Sequence, residues 1–156
     1  MRDSDQIRYV DGGETLEPAS PEFRLEIEAQ PEDVDEQGHV SNVVYVRWVQ
    51  EAARAHSAAV GYGLETYKRM GSTFAVRKHE ISYFLPAFAG DRIALLTHVA
   101  WWRSAICERR TRIVRLADDK EIGRAATVWA YVSVTGGRLR RIPAEILEAF
   151  KRPPQG

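Results

Sequence analysis

Hydrophobic and polar residues alternate along several stretches of this chain, and one stretch shows helical spacing instead. Over residues 23–30 every second residue is apolar, which is typical of a strand with one buried face, and Pro31 ends it. Residues 43–60 are apolar around most of a helical wheel. A narrow polar stripe interrupts this helix, and it consists of Arg47, Gln50, Glu51, Arg54 and Ser57. The pattern therefore predicts a strand followed by one long, largely buried helix.

Four further strand-like runs follow the helix, at about residues 73–84, 91–101, 105–116 and 121–134. In the first run the buried parity changes between Val76 and Ile81, which predicts a β-bulge near residues 78–80. A short last helix is expected after Ile142, with Pro143 in its first turn.

This order of elements predicts an α+β domain. Consecutive strands with short links pair antiparallel, and one helix against one antiparallel sheet is an α+β arrangement. Because no other helix is long enough to cover the sheet, we expect the sheet to curl around it. We expect this domain over residues 22–151. A mobile tail at residues 1–21, rich in Asp, Glu, Gly, Pro and Ser, would precede it, and a short tail at residues 152–156 would follow.

Composition narrows the classes of function. The 156 residues suit one domain, and 22 Lys and Arg balance 22 Asp and Glu, so charge gives no support to a nucleic-acid partner. The single cysteine, Cys107, fits a reducing compartment and a structural thiol. No signal peptide or membrane-spanning run is visible, so we expect a soluble cytoplasmic protein without a membrane partner. The isolated histidines lack metal-ligand spacing, and no metal is expected.

Residues 33–42 concentrate the chemically active side chains directly before the helix. Asp33, Asp35 and His39 stand there together with Gly38. The first amide groups of a helix are unpaired and partly positive. A carboxylate and an imidazole held beside them are placed to act on a carbonyl whose oxygen points at those amides. Either Ser41 or Asn42 is expected to cap the helix.

Residues 33–48, with the sequence Asp-Val-Asp-Glu-Gln-Gly-His-Val-Ser-Asn-Val-Val-Tyr-Val-Arg-Trp, resemble a family of known enzymes. They are similar to acyl-CoA thioesterases of the 4-hydroxybenzoyl-CoA thioesterase type. Supporting pieces are Ile81-Ser82-Tyr83, Pro86, Gly90-Asp91 and Arg141-Ile142-Pro143. The resemblance covers roughly residues 23–150. It implies the hotdog fold, an antiparallel five-stranded sheet curled around one long central helix, in a homodimer or homotetramer that hydrolyses acyl-CoA without a cofactor.

The same resemblance assigns roles to residues of the loop. Asp35 matches the catalytic aspartate, which acts as a nucleophile or as a general base, and the amide near Asn42 matches the group that polarises the carbonyl. The spacing of Asp35 and His39 is also similar to the Asp-x-Asn-x-His pattern of plant-type acyl-carrier-protein thioesterases, although Gln37 replaces the Asn. Gln37 and His39 would then place the water. Two alternatives stay open: a carrier-protein thioester substrate, and a non-catalytic acyl-CoA binding module.

Other side chains are candidates for binding the substrate. Tyr45 and Trp48 are expected either in the core or in the wall of the acyl pocket, and we assign them to substrate binding. Arginines recur in one strand at Arg109, Arg110 and Arg112. They form either a solvated strand face or a surface for the CoA phosphates, which arginine binds well. Arg138, Arg140 and Arg141 are a second candidate for that surface.

Overall fold

The secondary structure matches the predicted order of one strand, one long helix and four strands. The computed structural model describes residues 8–10, 14–16 and 18–154. Its strands are β1 Arg8–Val10, β2 Glu14–Leu16, β3 Phe23–Glu28, β4 Ser72–Tyr83, β5 Arg92–Arg103, β6 Ile106–Arg115 and β7 Lys120–Ser133. Its helices are α1 Asn42–Ala59, α2 Leu64–Met70 and α3 Ala144–Lys151.

The main sheet has five strands in the order β3-β5-β6-β7-β4, and all neighbours pair antiparallel. The hairpins β5–β6 and β6–β7 form its centre, while β3 and β4 form its edges. The predicted five-stranded antiparallel sheet with one long helix is thus confirmed. No helix within the described residues is long and apolar enough to span a membrane.

The predicted β-bulge exists, one residue earlier than the sequence indicated. The register between β4 and β7 shifts between Val76 and Lys78, so Arg77 is the extra residue. The shift changes which parity of β4 faces the helix. Phe74, before the bulge, and Ile81, after it, both pack against the core. A change of parity shows only that a bulge lies somewhere between the last inward-facing residue before it and the first inward-facing residue after it.

Helix α1 buries its apolar side against every strand of the main sheet. Tyr45, Trp48 and Val49 are buried in one cluster with α1 at its centre. The strands contribute Leu25, Ile81, Leu95, Ile113 and Ala125 to this cluster, one from each strand. A sheet whose five strands all reach one helix must wrap around that helix. The predicted curl follows from this packing.

Gly123 of β7 lies between the neighbouring strand β4 and the Tyr45 ring of α1. A Cβ atom at Gly123 would lie 3.0 Å from the backbone oxygen of Ser82 and 3.5 Å from Cδ2 of Tyr45. The first distance is tighter than an ordinary Cβ contact, so a side chain here would press on the backbone of β4, whereas the second is an ordinary contact with the Tyr45 ring. Packing this tight leaves little room for volume changes at this point of the core.

The segment before β3 is attached to β5. The N–H groups of Ala19 and Ser20 donate to the carbonyl of Val99, and the Ser20 Oγ accepts from the Val99 N–H at 2.8 Å. In the backbone, β1 and β2 pair antiparallel. The rest of the predicted N-terminal tail, residues 1–7, 11–13 and 17, lies outside the described residues, as do residues 155–156, so the mobility of the tail stays a prediction.

Asp33 joins the end of β3 to the start of α1. Its side chain is only 4% exposed, and it accepts hydrogen bonds from the Gln30 N–H at 2.9 Å and from the Arg47 guanidinium at 2.8 Å. Burial alone would raise the pKa of this carboxyl. The hydrogen bonds from Arg47 and Gln30 outweigh burial, so the pKa lies below its ordinary value. The Asp33 carbonyl also accepts the Ser41 N–H at 3.0 Å.

Asp33→Asn should lower the free energy of unfolding by about 1–3 kcal/mol, because the substitution weakens a charge-assisted hydrogen bond that is buried on one side. Urea denaturation measures this change. Asp118→Asn is the matched control, since Asp118 pairs with Arg115 at 2.8 Å on the surface. We expect a smaller loss there. Equal losses in the two variants would show that Asp33 is no more than a surface ion pair.

The contribution of Asp33 to the free energy of unfolding should also depend on pH. A carboxyl whose pKa is lowered by folding stabilises the folded state above its unfolded pKa, and this stability is lost as the pH falls through the folded pKa. The difference in unfolding free energy between the wild type and Asp33→Asn should therefore be constant well above the ordinary carboxyl pKa of 3.8 and shrink as the pH falls below it. Burial also lowers the pKa of His56 to about 3 and of His98 to about 4, but both proteins share these groups and their effects cancel. A difference that grows on acidification would contradict this assignment.

Candidate active site at the start of the long helix

Residues 35–39 form a tight turn that places Asp35 and His39 opposite each other. The Gly38 N–H donates to the Asp35 carbonyl at 3.0 Å, and the Asp35 N–H donates to the His39 carbonyl at 3.1 Å. Gly38 has a φ of 90°, in the region that favours glycine. Val34 and Val40 form a single β-bridge at the base of the turn. The turn thus pairs the backbones of Asp35 and His39, two of the three titratable residues named in the predicted loop.

The Asp35 carboxylate is held through one of its oxygens. Oδ1 accepts the Gln37 N–H at 2.9 Å, and the residue is only partly buried. Oδ2 makes no hydrogen bond within the described part of the chain. Asp33, two residues earlier, is instead occupied by Arg47 and Gln30. Of the two aspartates before α1, Asp35 is therefore the one with an oxygen available to a reacting group.

The start of α1 presents an unpaired amide beside this turn. Ser41 is the N-cap, because its Oγ accepts the Val43 N–H at 3.3 Å. Asn42 is the first helical residue, so its N–H has no partner within the helix. Its carbonyl accepts a hydrogen bond from the Tyr83 hydroxyl at 3.3 Å. Because helix N-terminal amides carry partial positive charge, the Asn42 N–H is a suitable donor to a carbonyl oxygen.

An apolar surface surrounds this end of the helix. Val43 is 74% exposed, and Tyr83, at the end of β4, and Phe84, Leu85 and Phe88, in the segment after it, are also exposed. The Val40 N–H donates to the Ala87 carbonyl at 2.8 Å, which joins this segment to the end of the turn at residues 35–39. We call these five exposed side chains the apolar rim. Exposed clusters of this kind mark ligand or subunit contacts.

The hydrophobic pattern of the sequence does not predict the apolar rim. Its signal is the run Phe84-Leu85-Pro86-Ala87-Phe88, which is apolar although it lies in a connection between strands. The pattern predicts that most of the helix circumference, including Val43, is buried. The structure places Val43 in the first turn of α1, beyond the area that the sheet covers, and so leaves it exposed.

Tyr45 and Trp48 lie in the protein core. Trp48 is 2% exposed, and the Tyr45 ring packs against Trp48 and Tyr83 with ring centroids 5.2 and 5.1 Å apart. The Tyr45 hydroxyl donates to the Leu85 carbonyl at 3.2 Å, and burial raises the pKa of this hydroxyl. Both residues thus support the segment that carries the apolar rim. Their contact with a substrate stays a prediction.

The three arginines of β6 do not share one face, which corrects their grouping. Side chains alternate along a strand, so Arg110 and Arg112 lie on one face and Arg109 on the other. Arg110 pairs with Glu108 at 2.9 Å and Arg112 with Glu121 at 3.3 Å. Arg109 faces α1 and is buried, so it cannot belong to a solvated strand surface.

Metal binding and the cysteine thiol are the two remaining kinds of chemistry to consider. Among the described residues, no three His, Cys, Asp or Glu side chains lie close enough together to hold a metal ion. Cys107 is buried, and burial raises the pKa of its thiol to about 12. A thiol this hard to ionise is a poor nucleophile, in agreement with a structural role.

Comparisons with known proteins identify the family and the fold of this chain. A family model described as the thioesterase-like superfamily matches residues 29–150. A 1,4-dihydroxy-2-naphthoyl-CoA thioesterase from Synechocystis is 18% identical, with a TM-score of 0.77 over 83% of this chain and 96% of its own. A DHNA-CoA thioesterase from Staphylococcus aureus is 16% identical, with a TM-score of 0.77 over 83% and 88%.

A third structure is an aspartate-to-asparagine variant of 4-hydroxybenzoyl-CoA thioesterase in complex with 4-hydroxybenzoyl-CoA. It is 21% identical, with a TM-score of 0.76 over 83% of this chain and 99% of its own. No curated protein sequence matches this chain significantly. These likenesses confirm the predicted hotdog fold, and the family match over most of the domain shows that this chain belongs to the thioesterase-like superfamily.

Proposed function

We propose that this protein hydrolyses an acyl-CoA thioester to the free acid and CoA at the start of α1. One observation carries this proposal: a partly buried carboxylate with one free oxygen, on Asp35, stands on the tight turn that leads to the unpaired amide of Asn42. A nucleophile or base next to an oxyanion donor is the minimum that acyl transfer requires.

The thioester carbonyl oxygen would accept the Asn42 N–H. As the carbonyl carbon becomes tetrahedral, negative charge collects on that oxygen, and a donor already in place stabilises it by several kcal/mol, on the order of 3. No side chain has to reorganise for this contact, because the amide direction is set by the helix.

Asp35 has two possible roles in the reaction. As a nucleophile, its free oxygen bonds to the carbonyl carbon while the carbon–sulfur bond breaks and CoA leaves as a thiolate; water then opens the mixed anhydride. As a general base, it takes a proton from a water molecule while the water oxygen bonds to the same carbon; the carbon–sulfur bond then breaks, and CoA leaves as a thiolate that takes up a proton. In both routes Gln37 and His39, on the same turn, are assigned to position the water.

The apolar rim suits the acyl group. Val43, Phe84 and Phe88 would contact an aliphatic or aromatic body, while the thioester lies between them and the Asp35 turn. The predicted CoA contacts of Arg110 and Arg112 would require these arginines to share or leave Glu108 and Glu121. CoA thioesters are also the substrates after which two of the similar proteins are named, one of them in complex with 4-hydroxybenzoyl-CoA.

A carrier-protein thioester is the second candidate substrate. The observation that favours it is the placement of Asp35, Gln37 and His39 on one turn, the spacing that resembles carrier-protein thioesterases. The chemistry at the carbonyl is the same for both substrates. Only the group that carries the thiol differs.

Asp35→Asn should reduce kcat by at least about 100-fold, because the amide neither attacks a carbonyl nor takes a proton from water. The fold should be preserved, since the amide oxygen can still accept the Gln37 N–H. Thiol release from short, long and aromatic acyl-CoAs measures the effect. Glu36→Gln removes the neighbouring exposed carboxylate and should keep turnover near the wild-type value.

Normal turnover by Asp35→Asn would remove Asp35 from the mechanism. Tight acyl-CoA binding by the wild type with no thiol release from CoA or carrier-protein thioesters would instead establish a binding module.

Free CoA should inhibit turnover competitively, because a CoA thioesterase recognises the leaving group as well as the acyl group. Steady-state rates at several fixed CoA concentrations test this. The control is pantetheine, which carries the same thiol arm without the nucleotide phosphates and should inhibit more weakly. If neither compound inhibits and carrier-protein thioesters are hydrolysed, the carrier-protein alternative is correct.

A further inference from the structure

A cavity of about 450 Å³ lies beside the C-terminal half of α1. Ala53 and Ser57 of α1, Tyr67 of α2, Phe150 of α3 and Val99 of β5 contribute to its lining. Along the helix axis, Ala53 is about 16 Å from Asn42 at 1.5 Å per residue. The cavity is therefore separate from the site proposed for thioester hydrolysis.

The lining of this cavity carries positive charge without a matching carboxylate. Arg54 stands in it on the exposed side, and Arg109, which is 5% exposed, stands in it at depth. No Asp or Glu belongs to the lining formed by the described residues. A buried cation is normally paired, so an unpaired one in a cavity calls for a negatively charged partner.

The hydrogen-bond partners of Arg109 are neutral. Its Nη1 donates to His56 Nδ1 at 2.9 Å and to the Thr97 hydroxyl at 3.2 Å. A guanidinium only donates, so His56 Nδ1 accepts and the imidazole is uncharged. Burial, reinforced by the charge of Arg109, lowers the pKa of His56 to about 3, which keeps the ring neutral. Glu108, next in sequence, lies on the opposite face of the strand and pairs with Arg110.

The other polar groups of the lining residues bring no negative charge to the cavity. The indole Nε1 atoms of Trp102 and Trp129 are buried beneath its surface, and neither meets an acceptor in the part of the chain that the structure describes. The Ser57 hydroxyl is engaged with the Tyr62 carbonyl at 2.7 Å and with the Tyr67 hydroxyl at 2.9 Å. Arg109 is therefore the group at depth that a negatively charged ligand would meet.

The remaining walls are apolar and largely aromatic, with Phe74, Trp102 and Phe150 among them. We propose that this cavity binds a small monocarboxylic acid, with the carboxylate on the Arg109 guanidinium and an apolar chain or ring along the aromatic walls. Arginine matches a carboxylate through two parallel hydrogen bonds, and the cavity has the size of known small-molecule sites. This binding site goes beyond the proposed hydrolysis and does not depend on it.

Isothermal titration calorimetry with decanoate, and with decanol as its uncharged match, tests the proposal. The wild type should bind decanoate at least about tenfold more tightly than decanol, the difference that one charge-assisted contact makes. Arg109→Met should lose this preference. It should still fold, because methionine replaces a buried cation that lacks a counter-charge, and thermal unfolding checks this. Arg69→Met removes an exposed arginine of α2 outside the cavity and should bind like the wild type.

Two further variants locate the binding and separate it from catalysis. Ala58→Trp places an indole at the exposed edge of the cavity and should abolish binding of decanoate. Asp35→Asn should bind decanoate like the wild type, whether or not the protein proves to be a thioesterase. The proposal is wrong if the wild type does not bind decanoate, if decanol binds equally well, or if folded Arg109→Met keeps the wild-type preference.

Discussion

The burial of α1 by all five strands of the main sheet is the constraint on which the rest of the structure depends. Tyr45, Trp48 and Val49 occupy the centre of that contact, and Gly123 of β7 lies against the Tyr45 ring. Since close-packed cores deform little, the helix axis has one position relative to the sheet. The first amide of α1 is therefore aimed by core packing, and the Asp35 turn is positioned by its short connection to that amide.

The buried charges near the two ends of α1 differ in their partners. At the N-terminal end, Asp33 is buried but paired with Arg47, which leaves the neighbouring Asp35 without a competing cation. Towards the C-terminal end, Arg109 is buried, and its hydrogen-bond partners among the described residues are neutral. A paired charge stabilises the loop that carries it, whereas an unpaired one lowers stability until a ligand neutralises it. The first arrangement suits a rigid reactive turn and the second a ligand site.

The sequence was sufficient to predict the elements and to predict a turn at Asp35 and His39 before α1, because both depend on local patterns. Alternation located the strands, and helical spacing located α1, since each element buries one face. The grouping of Arg109 with Arg110 and Arg112 failed because neighbours along a strand point to opposite faces. The apolar rim and the Arg109 cavity are each formed by residues distant in the sequence, such as Arg109 and His56, which share a hydrogen bond. Local patterns carry no information about such contacts.

The apolar rim also bears on the assembly that the proposed reaction needs. An amide stabilises a developing oxyanion strongly only where water is excluded, because water screens the charge and competes for the hydrogen bond. In one chain Val43 and Phe84 remain exposed, so the Asn42 amide faces solvent. Covering the rim would bury that apolar surface and lower the local dielectric in the same step. A second copy of the chain, in the proposed homodimer or homotetramer, would supply the cover, and the site would then be complete only in the assembled protein.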